Sequence, residues 1–140
     1  DWRKYFNQLF LSFFLILKNI NIKRGGYVFY ISSSIIKEPS NSIIISSSLR
    51  SAMSSLLKSY SLENLKKDIT VINIAPGPFK TKRVKELVKD IDKFEKSLPS
   101  GKIGNPDEIG KFVRFIAQEK IKYITGSTVY FDGNINKSFI

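Results

Sequence analysis

Cysteine and histidine are both absent from the 140-residue chain. That excludes disulfides, thiol nucleophiles, histidine-based triads and the usual zinc sites. Any metal would need an all-oxygen ligand set, and no metal site is expected. Acids are scarce as well, with 12 Asp+Glu against 23 Lys+Arg and a formal charge of +11. Such an excess suits an anionic partner, whether nucleic acid, a membrane surface or a phosphorylated cofactor. The basic residues are spread along the chain, however, and the densest group (Lys80, Lys82, Arg83, Lys85, Lys89) is interleaved with Val84, Leu87 and Val88. That is the pattern of a solvated amphipathic helix, so neither a membrane nor nucleic acid is the expected partner.

Glycine is limited to 8 residues, none in a G-x-G-x-x-G or G-x-x-x-G-x-G pattern. The pyrophosphate of a dinucleotide therefore has no evident cradle in these residues. Long apolar runs are missing too. The uncharged stretch Tyr5 to Leu17 is too short for a membrane span and carries Asn7, Gln8 and Ser12. Arg3 and Lys4 precede it without a small-residue cleavage pattern, so no signal peptide is read and the expected compartment is the cytoplasm. What is present suffices for a core: 42% hydrophobic and 13% aromatic residues read as a single globular unit over 1–140.

The stretch from Gly26 to Arg50 carries the candidate chemistry. Tyr27 to Ile31 is a short aromatic and β-branched run after a Gly-Gly turn, as in a parallel strand covered on both faces. Ser32, Ser33 and Ser34 follow at its C-terminal end, where open α/β sheets bind ligands. A loop with Pro39 leads to a second serine cluster, Ser46 to Ser48, so that two hydroxyl groups of residues are expected to face one crevice. Ser46 or Ser47 also suits an N-cap of the helix predicted from Ser48 to about Leu65. Ahead of this stretch, Asp1 to Ile20 reads as a helix with Trp2, Phe6, Leu9, Phe10, Phe13, Leu17 and Ile20 on one face and further apolar residues elsewhere, hence covered on more than one side. After it, Asp68 to Ala75 is a second strand stopped by Pro76-Gly77-Pro78, and Lys82 to Ser97 is a charged helix. Asn105-Pro106-Asp107-Glu108 supplies a cap, a first-turn proline and acids for the positive end of a further helix. Ser127 to Phe131 is the last strand. Three parallel strands are thus predicted, near 27–32, 69–75 and 127–131.

These stretches together resemble the short-chain dehydrogenase/reductase family, in particular its 3-oxoacyl reductase-like members. The resemblance runs along almost the whole chain and rests also on NIAPGPFKT (Asn73 to Thr81), GNPDEIGKFVRFIA (Gly104 to Ala117) and YITGSTVYFDG (Tyr123 to Gly133). It implies an α/β fold, the C-terminal portion of a Rossmann-type doubly wound parallel sheet, without the first four strands. Gly26 to Ser33 looks like the family's fifth strand, whose terminal serine, Ser33 here, would bind the substrate carbonyl. The family's catalytic tyrosine and the lysine four residues on fall at Ser46 and Arg50. Its active-site asparagine falls at Leu9, and Asn7 lies on another face. Pro76, Gly77 and Thr81 match the residues that contact the nicotinamide end of NAD or NADP, and residues 82–104 resemble the variable substrate lobe. The resemblance further implies a small-molecule carbonyl or alcohol substrate and a homo-oligomer packed through helices 2–20 and 48–65, the second of them thinned by Ser51, Ala52, Ser54 and Ser55.

Ser46 and Arg50 alter what such a site can do. A serine hydroxyl is a far weaker acid than a phenol of pKa about 10, and arginine, with a pKa above about 12, does not pass a proton on as lysine does. The expected function is an NAD(P)-dependent oxidoreductase of atypical catalysis. The alternative is a non-catalytic ligand-binding or scaffolding subunit, and polyanion binding is a third reading that rests on charge alone.

Overall fold

The computed structural model describes residues 1–139. Three strands, β1 (Tyr27–Ile31), β2 (Thr70–Pro76) and β3 (Ser127–Phe131), form one parallel sheet in the order β1-β2-β3. Tyr27 pairs with Thr70 and Ile72 with Ser127 in register. All three strands lie within one residue of the predicted spans. The central strand is buried on both faces, which is why Val71, Ile72, Ile74 and Ala75 are apolar on either side and its polar residues Thr70 and Asn73 are themselves buried.

Helix α1 (Trp2–Phe6), a π-helical turn (Asn7–Leu11) and α2 (Ser12–Asn19) make one continuous rod before β1. Helix α3 (Ile44–Glu63) follows the serine loop. Both pack on one face of the sheet, where Leu17, Val28, Tyr30, Met53, Leu57, Ile69 and Val71 form one core cluster. On the other face α6 (Pro106–Gln118) covers Ile72 and Ile74 with Ile116, helped by Phe112 and Phe131 in edge-to-face contact. Asn73 ties three elements together: its amide donates to Ser54 Oγ on α3 at 3.0 Å and to Thr128 Oγ1 on β3 at 3.1 Å. Asn105 caps α6 with Pro106 in the first turn, as its sequence predicts.

Three local expectations are corrected. Helix α3 starts at Ile44, four residues ahead of Ser48, and neither Ser46 nor Ser47 is its cap. The Ser47 hydroxyl instead donates back to the Ile43 and Ile44 carbonyls, a bond that a serine inside a helix can make. The helix predicted over 82–97 is two, α4 (Lys82–Leu87) and α5 (Ile91–Ser97). Asp90 divides them, because its carboxylate accepts from Lys93 N at 2.9 Å and opens a new helix. Along the first rod, Trp2 and Ile20 are exposed, and Phe10, Phe13, Phe14 and Leu17 make the packing face. Among the described residues no helix is long and apolar enough to cross a membrane.

Candidate active site

In a parallel sheet every strand ends on the same edge, so the residues after Ile31, Pro76 and Phe131 are neighbours. Beyond β1 the serines divide by role. Ser32 is buried and prolongs the ladder, with N and Oγ both donating to the Ile74 carbonyl, at 2.7 and 3.2 Å. Ser34, also buried, opens a 3-10 turn (Ser34–Ile36). Ser33 stands between them in extended backbone, half-buried, its hydroxyl without a hydrogen bond among the described residues.

Arg50, one helical turn on from Ser46, joins α3 to this edge. Its Nε donates to Ser46 Oγ at 3.3 Å and its Nη1 to the Ser32 carbonyl at 2.9 Å. Those bonds occupy two of the five N–H donors a guanidinium carries. Among the described residues the guanidinium makes no other bond, so the rest of the fork can hold negative charge developing beside it. Ser46 is an acceptor in this pair, which leaves its own O–H available as a donor, polarised by the cation behind it. The structure thus links Ser46 and Arg50 directly and sets Ser33 next to the carbonyl that anchors them. The expected convergence of all six serines does not occur, because Ser32 and Ser47 spend their hydroxyls on backbone and Ser48 is exposed.

A phenol does lie near this group, at a position sequence reasoning gave only to the core. Tyr30 is buried on β1 with its ring 4.6 Å from that of Phe13, and its hydroxyl donates to the Leu9 carbonyl at 3.4 Å. Burial pushes its pKa up, and the positive charge of Arg50 pulls the other way. Leu9 belongs to the π-helical turn, a kind of break that often marks functional sites. Strand alternation predicts an inward Tyr30 but carries no sign of a hydroxyl partner 21 residues away.

Pro76 ends the adjacent strand, and Gly77 and Thr81 follow it. Gly77 N donates to the Phe131 carbonyl at 2.9 Å, and a Cβ on Gly77 would lie 2.9 Å from Asp132 Cα. Only glycine lets the two strand ends approach so closely. Thr81 caps α4, its hydroxyl accepting from Val84 N at 3.4 Å. This turn is the part of the sheet edge that the resemblance assigns to the nicotinamide end of a dinucleotide. No glycine-rich turn entering a helix offers a phosphate cradle among the described residues, so the fit extends to one end of that cofactor only.

A cavity of about 610 Å³ opens farther along the edge, between the ends of β2 and β3 and the loop before α6. Phe79 and Ile103 form its buried wall, and Lys80, Lys102, Asn105 and Asp132 its polar rim. None of Ser33, Ser46 and Arg50 lines it. The β1 edge, not this cavity, is the candidate reaction centre, because among the described residues a cation fixed by Ser46 and the Ser32 carbonyl stands there beside the Ser33 hydroxyl. On the other side of the serine loop, Glu38 Oε1 accepts from the backbone N–H of Lys137 (2.7 Å) and Ser138 (2.6 Å). Chiefly the Ser138 backbone bond holds the Glu38 carboxyl below its usual pKa. Asn136 Nδ2 reaches the Ser34 carbonyl at 3.3 Å, so the tail after β3 fastens the serine loop.

A parallel sheet with helices on both faces and a polar site at its C-terminal edge defines a Rossmann-type α/β protein. Residues 1–136 match the family described as enoyl-(acyl carrier protein) reductase. The chain is 32% identical, over 80% of its length, to an uncharacterised short-chain type dehydrogenase/reductase of Sinorhizobium fredii, of which it covers 21%. It is 33% identical, over 86% of its length, to a 3-oxoacyl-[acyl-carrier-protein] reductase of Buchnera aphidicola, of which it covers 50%. A solved Serratia marcescens short-chain dehydrogenase/reductase variant superposes with a TM-score of 0.86 at 25% identity, over 96% of this chain and 56% of that one. The chain belongs to the short-chain dehydrogenase/reductase family and spans about half or less of the length of these relatives.

Proposed function

We propose that this chain forms the substrate half of an NAD(P)-dependent carbonyl or alcohol oxidoreductase that works without the usual phenol and amine. The observation that carries the reading is the guanidinium of Arg50 bridging Ser46 and the end of β1 beside the free hydroxyl of Ser33. In the reductive direction, Ser33 and Ser46 donate hydrogen bonds to the substrate carbonyl oxygen. Arg50 holds the negative charge that grows there as the carbon is reduced. Because arginine keeps its proton, the proton that completes the alcohol comes from water through the serine hydroxyls. The nicotinamide supplies the hydride, and Pro76, Gly77 and Thr81 would border its ring. Residues 82–104 form the substrate lobe, and the cavity they share with Asp132 and Asn134 accommodates the part of the substrate remote from its carbonyl. The non-catalytic alternative, a ligand-binding or scaffolding subunit in the cytoplasm, is favoured by one observation, the missing phenol at position 46.

The discriminating experiment supplies the glycine-rich half of a 3-oxoacyl reductase relative, joined to or co-expressed with this chain. The expected result is binding of NADPH and slow carbonyl reduction that Arg50→Met removes. Cofactor binding with no turnover, unchanged by Arg50→Met, supports the scaffolding alternative instead. Self-association belongs to the same proposal: Leu15 and Ile16 are exposed on the first rod, and α3 presents small residues beside it. Sedimentation equilibrium is expected to show dimers or larger species that Ile16→Lys disperses, and a native monomer at high concentration would remove the helices 2–20 and 48–65 as an interface.

A further inference from the structure

The parallel sheet collects not only the strand ends but also the strand entrances, and the three entry loops share one composition. Lys23 and Arg24 precede β1, Lys66 and Lys67 precede β2, and Lys120 and Lys122 precede β3. The loops are fastened to one another: Gly25 N donates to the Lys67 carbonyl at 3.1 Å, and Lys122 Nζ reaches the Gly25 carbonyl and the Asp68 carbonyl, at 2.5 and 3.3 Å. Lys122 is spent in this network and in an ion pair with Asp68. The other five cations are all exposed and face only two further carboxylates in these segments, Glu63 and Glu119.

Apolar side chains protrude among these charges. Tyr123 is fully exposed, and Ile20 and Leu65 are exposed to 50% and 51%. Each stands within a few residues of a lysine in its own loop. Lysines and arginines in the same loops as exposed aromatic and aliphatic side chains give a surface two attractions at once, Coulombic toward anionic headgroups and hydrophobic toward the acyl boundary. A solvated face needs only the first.

We propose that the strand-entry edge is a peripheral docking surface for an anionic membrane, with Lys23, Arg24, Lys66, Lys67 and Lys120 at the headgroups and Tyr123, Leu65 and Ile20 dipping between them. The candidate active site lies at the opposite edge of the sheet and faces away from the bilayer in this pose. The inference is independent of the proposed reaction and stands if that reaction fails.

Co-sedimentation of the native protein with vesicles tests it. The expected result is pelleting with phosphatidylserine and phosphatidylcholine in equal parts, none with phosphatidylcholine alone, and loss on adding salt. Lys66→Glu with Lys67→Glu is expected to weaken binding by about ten- to thirty-fold, and Tyr123→Ala to remove the fraction that survives moderate salt. Lys111→Glu with Arg114→Glu on α6 makes the same change of net charge and is expected to leave binding intact. Equal losses in the two double variants would show attraction to net charge alone and overturn the proposal. So would the lack of any pelleting with anionic vesicles, or an oligonucleotide that displaces the vesicles and binds Tyr123→Ala as well as native protein.

Discussion

Ser46→Tyr combined with Arg50→Lys, in the chain completed by a dinucleotide-binding half, is expected to raise the rate of carbonyl reduction by about 10²- to 10⁴-fold, the usual contribution of positioned acid–base help. The native pair has no group whose pKa can be tuned toward neutrality. A serine hydroxyl ionises too reluctantly, and a guanidinium attracts charge without relaying a proton. With the double change, the lysine cation lowers the phenol pKa and can itself exchange protons with water. Ser46→Tyr alone is expected to gain less, since Arg50 would stabilise a phenolate and stop there. Steady-state oxidation of NADPH compares the native, single and double forms. A native rate like that of ordinary reductases, and unaffected by Ser46→Ala, would assign the chemistry to another residue and remove Ser46 from the site.

Ile72→Ala is expected to cost about 2 to 5 kcal/mol of unfolding free energy, the range for deleting a large aliphatic side chain from a core that collapses only partly. Ile72 is 0% exposed in the central strand and packs with Ile74 and Ile116 under α6. Ile31→Ala, at the 47% exposed end of β1, is expected to stay within about 0.5 kcal/mol of native, as surface changes away from special features do. Urea unfolding followed by circular dichroism reads both. A small loss at Ile72, or equal losses at the two positions, would contradict the order in which the strands are stacked. A loss at the upper end is comparable to the whole stability of many domains, so an unfolded Ile72→Ala protein is within expectation.

The central strand was legible because burial on two faces leaves a mark, with Val71, Ile72 and Ile74 apolar on both sides of the sheet, whereas β1 and β3, whose burial alternates, were legible from their aromatic and β-branched residues. The end of the helix before β1 and the start of α6 were legible for the same reason, a local signal matched by a local cause. Helix α3 was placed too late because Ile43, Ile44 and Ile45 are β-branched and favour extended backbone by themselves, whereas packing of the helix overrides that preference. The division at Val88 to Asp90 was within reach of the sequence, since Asp90 is a capping residue, but the charged pattern on either side hid it. In the candidate site, the positions of Ser33, Ser46 and Arg50 followed from resemblance. The bond from Arg50 to the Ser32 carbonyl, the hydroxyl partner of Tyr30 and the hold of Glu38 on Lys137 and Ser138 join residues 18 to 100 positions apart, and nothing local encodes them.

The strand order bears on how the chain reaches its native state. Neither pairing in the sheet is a hairpin: β1 meets β2 across a helix, with Tyr27 opposite Thr70, and β2 meets β3 across three more, with Ile72 opposite Ser127. Each contact requires closing a loop of tens of residues before any backbone bond rewards it, and the entropy lost in closure is offset only once the helices dock. Local helices can flicker in and out within microseconds while the sheet waits for a rare encounter. During that wait β2, whose Val71, Ile72, Ile74 and Ala75 are fully buried in the finished sheet, lies uncovered on both faces, so the strand that gives the sheet its core is also a segment that demands protection while the polypeptide is being made.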